Sequence, residues 1–232
     1  MGRRLVIGDI HGCRDTLAQL LAQLGPPAAG DTFVFLGDYL DRGPDPRGVV
    51  DTILALRRKF QVIALMGNHE RMLLDYLAGS PPGGMSLYDY FGLGGLATLE
   101  SYGVANPFAR ERPKLPASHQ AFLQDLLPYW EDDQHIYVHA GLRPGLPLHR
   151  QPASVRLWIR DEFLDSRHDF GKRVVFGHTP FPEPLVQANK IGLDTGAVYG
   201  GHLTCLVLPE MTFVQVKGPA PAPDASLVGL IL

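Results

Sequence analysis

Five short apolar runs, each stopping at a cluster of glycine with aspartate, asparagine or histidine, constrain this chain more than any other feature. Leu5-Val6-Ile7 leads into Gly8-Asp9-Ile10-His11-Gly12, and Phe33-Val34-Phe35-Leu36 into Gly37-Asp38-Tyr39-Leu40-Asp41-Arg42-Gly43. Val62-Ile63-Ala64-Leu65 leads to Gly67-Asn68-His69-Glu70, Ile136-Tyr137-Val138 to His139-Ala140-Gly141, and Val174-Val175-Phe176 to Gly177-His178-Thr179. Runs of this length with β-branched residues read as buried strands. Open α/β sheets bind ligands beyond the carboxyl ends of their strands, so five polar tips at one edge would compose one site.

The remaining pattern organises around those strands. Leu17, Leu20, Leu21 and Leu24 recur at helical spacing and Gly25-Pro26 ends the run, while Pro46 sits near the start of a helix presenting Val49, Val50, Ile53 and Leu54. Strand–helix–strand–helix–strand order over residues 3–66 predicts parallel pairing through crossover helices. Residues 71–129 read as a mostly helical insertion beside the site, with helical spacing at Met72, Leu73, Tyr76 and Leu77 and again at Phe122, Leu123, Leu126 and Leu127. Glu131-Asp132-Asp133-Gln134 predicts a hairpin before His139, and Leu203 to Leu208 with Phe213 to Val216 an antiparallel meander. Residues 1–217 are expected to form a single catalytic domain. Residues 218–232 read as a Pro/Ala linker and an apolar tail, expected to pack on the body as a strand or clip.

The bulk composition excludes several classes. The 232 residues are 45% hydrophobic and 19% charged, as in ordinary globular chains, and the net charge of −3 argues against a basic nucleic-acid surface. Cys13 and Cys205 are too few for a disulfide framework, so a reducing cytoplasm is expected. Arg3-Arg4 is followed too soon by a chemical motif to serve as an export signal, and Val6 stands where a myristoylation site wants Ser or Thr. No apolar stretch reaches bilayer-crossing length, so no membrane partner is expected.

Asp9, His11, Asp38, Asn68, His139 and His178 supply two carboxylates, an amide oxygen and three imidazoles, with no thiolate. Mixed oxygen and imidazole donors suit Mn²⁺, Fe or Zn²⁺. Six side chains exceed the needs of one open catalytic ion, so two divalent ions sharing a carboxylate are expected, about 3.5–4 Å apart and clamping an in-line displacement at phosphorus. A water held by both would become the nucleophile. Arg42 and Arg160 offer permanent guanidinium forks for phosphate oxygens. His69 is placed to protonate the leaving alkoxide if a carboxylate such as Asp41 orients it. Tyr199, in the glycine-rich segment 194–201, is a further candidate to line the substrate pocket. Glu70 reads as a first-turn carboxylate favoured by the helix dipole, not as a ligand.

These motifs, in this order, resemble the phosphoprotein phosphatase (PPP) family of calcineurin-like metallophosphoesterases, in its bacterial and phage branch. The resemblance spans residues 8–178. It implies Asp9, His11 and Asp38 around one ion, with Asp38 bridging to a second that Asn68, His139 and His178 complete. It makes His69 the general acid paired with Asp41, and Arg42 and Arg160 the phosphate binders. It also implies an α/β fold of two mixed sheets packed as a sandwich and flanked by helices.

The expected activity is metal-dependent phosphomonoester hydrolysis, first of all on phosphoserine and phosphothreonine in proteins or peptides, by a monomer with Mn²⁺ as the foremost metal. Symmetrical diadenosine tetraphosphate hydrolysis, or broad action on small phosphate esters, is the alternative. Symmetrical hydrolases typically carry Gly-His-Trp at the last ligand, whereas this chain has Gly177-His178-Thr179-Pro180, which favours the phosphatase. A non-catalytic scaffold is disfavoured, because no ligand, acid or arginine of the motifs is lost.

Overall fold

A computed structural model of the chain describes residues 2–109 and 112–220. The apolar end segment, Ser226 to Leu232, lies outside the described residues. The chain opens with β1 (Arg4–Ile7), α1 (Arg14–Gln23), β2 (Thr32–Phe35), α2 (Pro46–Arg57), β3 (Gln61–Ala64) and α3 (Asn68–Ala78). α2 starts as its sequence demands: Pro46 needs no amide partner in the first turn, and the Asp45 carboxylate accepts the Gly48 N–H at 2.8 Å. β1, β2 and β3 pair in parallel, so all three end at the same edge.

The insertion contains α4 (Leu87–Tyr90), α5 (Leu96–Ser101) and α6 (Ala117–Gln124). The helical spacing predicts that α6 extends through Leu126 and Leu127. Instead the helix stops at Asp125, and Leu127 forms a parallel bridge to Leu65. Pro128 accounts for the difference, since the residue before a proline is driven out of the helical region.

The chain continues through β4 (Trp130–Glu131), β5 (His135–Tyr137), α7 (Ala153–Trp158), α8 (Asp161–Leu164), β6 (Arg173–Phe176), β7 (Leu185–Val186), β8 (Lys190–Gly192), β9 (Asp194–Thr195), β10 (His202–Leu208) and β11 (Thr212–Lys217). The first sheet has the order β11-β10-β1-β2-β3, with β9 also on β10; the second has the order β4-β5-β6-β8-β7. Both are mixed. β10 runs antiparallel to β1 and β11, and β4 and β7 antiparallel to their neighbours. The expected hairpin and meander are present.

Alternation along each strand decides which layer its side chains enter. Val6, Val34 and Leu36 of the first sheet meet Tyr137, Val175 and Ile191 of the second in the central layer. Leu5, Ile7, Phe33 and Phe35 point the other way, into a core shared with α1, α2 and the insertion. Ile136, Val174 and Phe176 pack outward against Phe163 of α8. The result is the sandwich with outer helices that the family resemblance implies. With both faces covered, these strands carry continuous apolar runs. Among the described residues, no helix is long and apolar enough to cross a membrane.

Candidate active site

Every strand end singled out in the sequence reaches one place. Asp9 and His11 follow β1, Asp38 follows β2, Asn68 opens α3 just after β3, His139 follows β5 and His178 follows β6. All six are buried. The backbone there is strained. His11, Asp38, Asp41, Arg42 and His178 all have φ between 45° and 68°, a region that residues with a Cβ seldom adopt. Gly37 supplies what no other residue could: at φ 107°, a Cβ would lie 2.8 Å from both Gly67 Cα and His139 Nδ1.

Backbone carbonyls fix the tautomers of two histidines. His11 Nδ1 donates to Leu40 O and His139 Nδ1 to Leu36 O, each at 2.9 Å, so each Nε2 is an acceptor, and that of His11 accepts Arg42 Nη1–H at 2.9 Å. Those two nitrogens flank one carboxylate. His11 Nε2 lies 3.4 Å from Asp38 Oδ2, and His139 Nε2 lies 3.4 Å from Asp38 Oδ1. Asn68 Oδ1 lies 2.8 Å from His139 Nε2 and 3.0 Å from His178 Nδ1. His178 Nε2 and Asp9 Oδ1 are buried without a partner. Acceptor atoms gathered this closely in a buried site favour a positive charge among them.

Among the described residues, two overlapping groups can hold an ion: Asp38 with His139 and His178, and Asp38 with His11 and His69. Asp38 belongs to both, as a bridging carboxylate must. Asp9 stands slightly apart from this grouping. Its Oδ2 accepts the His178 N–H at 2.9 Å, while the unpartnered Oδ1 is free to bind a cation. Burial pushes the Asp38 carboxyl up to about 8 and raises Asp9, whereas burial lowers His11 and His178 and takes His139 down to about 4. The imidazoles are thus held neutral and ready to ligate. Divalent ions would draw the carboxyls back to their charged form.

The residues expected to act as acid and phosphate binders share this space. His69 Nδ1 lies 2.6 Å from Asp41 Oδ2, with both side chains wholly buried. Burial takes Asp41 up to about 7 and, with Arg42 alongside, His69 well below its ordinary value. A small cavity of about 80 Å³ is lined by Asp38, Arg42, His69, Arg160 and Tyr199, among others. The Arg42 guanidinium lies 5.4 Å from the Tyr199 ring centroid, a cation–π contact that steadies it. Trp158 meets His178 edge-on at 6.0 Å and forms another wall. The nearby arginines are engaged elsewhere, Arg143 with Glu162 and Arg156 with Gln151 O.

Glu70 and Asp194 take places in the site that the sequence pattern does not foresee. Glu70 is fully buried, and its carboxylate accepts the backbone N–H groups of Asp38, Tyr39, Leu40 and Gly67 at 2.8–3.1 Å. It therefore shapes the loop that carries Asp38, a role larger than the helix-dipole one expected. Asp194 lines the cavity and is buried, with Oδ1 accepting the Gly196 N–H at 2.9 Å. Only its place directly after the Ile191-Gly192-Leu193 run signalled it.

A family model for calcineurin-like phosphoesterases matches residues 2–203. The chain belongs to that family. Among curated relatives of this calcineurin-like phosphoesterase is a bis(5'-nucleosyl)-tetraphosphatase PrpE [asymmetrical] of Anoxybacillus flavithermus, 28% identical over 93% of this chain and 94% of the relative. Another is serine/threonine-protein phosphatase 1 of Salmonella typhimurium, 31% identical over 86% of this chain and 88% of that one. A crystal structure of a proposed diadenosine tetraphosphatase superposes with a TM-score of 0.73 at 27% identity, covering 94% of each chain. The nucleotide-cleaving relative carries an asymmetrical designation, whereas the alternative expected from the sequence is the symmetrical reaction. Calcineurin-like phosphoesterases bind divalent metals, and the donor set described above fits such ions.

Proposed function

We propose that the chain is a dinuclear, metal-dependent hydrolase of phosphoric monoesters, acting on phosphoserine and phosphothreonine in proteins or peptides. The observation that carries this reading is the pair of lone-pair-bearing imidazoles flanking the two oxygens of Asp38 at 3.4 Å. Asp9, His11 and Asp38 would hold one ion, and Asp38, Asn68, His139 and His178 the other, with Mn²⁺ the foremost metal. Bound there, the ions supply a water acidified toward neutral pH and charge stabilisation for the phosphoryl oxygens.

The chain's own groups do the rest. Arg42 and Arg160 grip the phosphoryl oxygens and orient the ester for in-line attack. Asn68 borders the same oxygens. His69, steered by Asp41, passes a proton from Nε2 to the leaving oxygen, and the approaching dianion favours the protonated imidazole needed for that step. Arg42, Arg160, His69 and Asp38 line one cleft, an arrangement that suits a phosphoryl group.

A second reading, asymmetrical cleavage of dinucleoside tetraphosphates, is favoured by the near full-length match to the PrpE relative and by the 0.73 TM-score. A side-by-side assay of a phosphopeptide panel and diadenosine tetraphosphate separates the two. The proposal expects kcat/KM to be at least about tenfold higher on phosphopeptides. The opposite ratio, with ATP and AMP as products, would transfer the assignment to the second reading, and ADP alone would mark symmetrical cleavage.

A further inference from the structure

We infer that Thr98, supplied by the helical insertion, is a positioning residue for proton donation by His69. Asp41 orients His69 through Oδ2, at 2.6 Å from Nδ1. Its other oxygen, Oδ1, accepts the Thr98 hydroxyl in a short hydrogen bond, and the Asp41 N–H donates to Thr98 Oγ1 at 2.8 Å. One hydroxyl thus holds both the backbone and the carboxylate of a residue at the strained φ of 66°. Thr98 and Asp41 are wholly shielded from solvent, so water does not replace the contact. Without the hydroxyl, Asp41 Oδ1 is left unpaired and the carboxylate is free to turn away from His69.

The neighbouring residues of the insertion act on the next position. Gly94 O accepts the Arg42 N–H at 3.0 Å and Leu93 O accepts Arg42 Nε–H at 3.2 Å. Gly94, at φ 102°, lies so close that a Cβ would come within 2.5 Å of Arg42 Cγ. Residues 93–98 therefore clasp the loop that presents both the phosphate-binding arginine and the acid's carboxylate. The insertion is then part of the catalytic apparatus as well as its border.

This inference rests on the reading of His69 as general acid, and the test keeps the two apart. A general acid matters most when the departing oxygen is basic, because the proton must arrive as the P–O bond breaks. Thr98→Val should lower kcat on phenyl phosphate about 10- to 100-fold, yet lower it less than about threefold on p-nitrophenyl phosphate, with KM and metal content unchanged. Thr98→Ser should restore the wild-type pattern, and Thr98→Ala should behave like valine if the valine variant folds poorly. In the metal-free protein, the downfield proton NMR signal that disappears in His69→Asn should shift in Thr98→Val and persist in Thr98→Ser. Equal losses on both esters, loss of bound metal, or failure of serine to rescue would overturn the inference while leaving His69 as the acid. If His69→Asn itself responds equally to both esters, the acid assignment fails and the inference fails with it.

Discussion

Three independent constraints meet at Asp38. Its φ of 52° is unfavourable for a residue with a Cβ, its amide is held by Glu70 at 2.9 Å, and its two oxygens each face an imidazole lone pair. Such strain persists only where neighbours over-determine it, and Glu70 is the chief neighbour. Glu70→Ala would leave four backbone N–H groups without their acceptor. A loss of about 3 kcal/mol or more in urea unfolding is expected, together with weaker metal retention. A purely helix-terminal role would cost well under about 1 kcal/mol. Arg42→Ala should weaken inhibition by inorganic phosphate about 10- to 100-fold, the worth of a charge-assisted fork, and reduce turnover too. Unchanged phosphate inhibition would place the clamp elsewhere.

At the level of elements, the strands and their tips were legible because each apolar run stops at a residue that cannot be buried without a partner. Leu5 to Ile7 and Val174 to Phe176 carried the signal locally, in runs of three or four residues. The contacts that shape the loops were not legible. Thr98 meets Asp41 across 57 positions and Glu70 meets Asp38 across 32, so neither spacing nor periodicity exposes them. α6 ends sooner than its leucine spacing indicates, because that spacing runs up to Leu127, whose helical conformation Pro128 disfavours. The entrance to β1 is pinned by Arg3, whose Nε lies 3.1 Å from Asp31 Oδ2 and whose backbone N–H reaches Oδ1 at 2.9 Å. The Arg3 guanidinium holds buried Asp31 below the usual carboxylate range. A depressed carboxyl contributes stability above its unfolded pKa of about 3.9 and loses it as pH falls through the folded value. Arg3→Ala should therefore cost about 1 kcal/mol at pH 7, and urea curves of the two proteins should converge as pH drops below about 4. A difference that persisted at low pH would show that the packing of the arginine stem, not its charge, was lost.

For the molecule as a whole, two sheets each send strand ends to a common edge, and the first sheet, the second sheet and the insertion each contribute side chains that none could use alone. Asp9, His11 and Asp38 come from the first sheet, His139 and His178 from the second, and Thr98 with the Leu93–Gly94 carbonyls from the insertion. On the reading proposed above, this convergence holds two ions around one shared carboxylate. Elemental analysis of protein purified with Mn²⁺ tests it most directly. About two ions per chain are expected for the wild type, falling below about one in Asp38→Asn while the circular dichroism spectrum is kept. Wild-type protein that retains no metal, or an Asp38→Asn variant that still holds two, would contradict it.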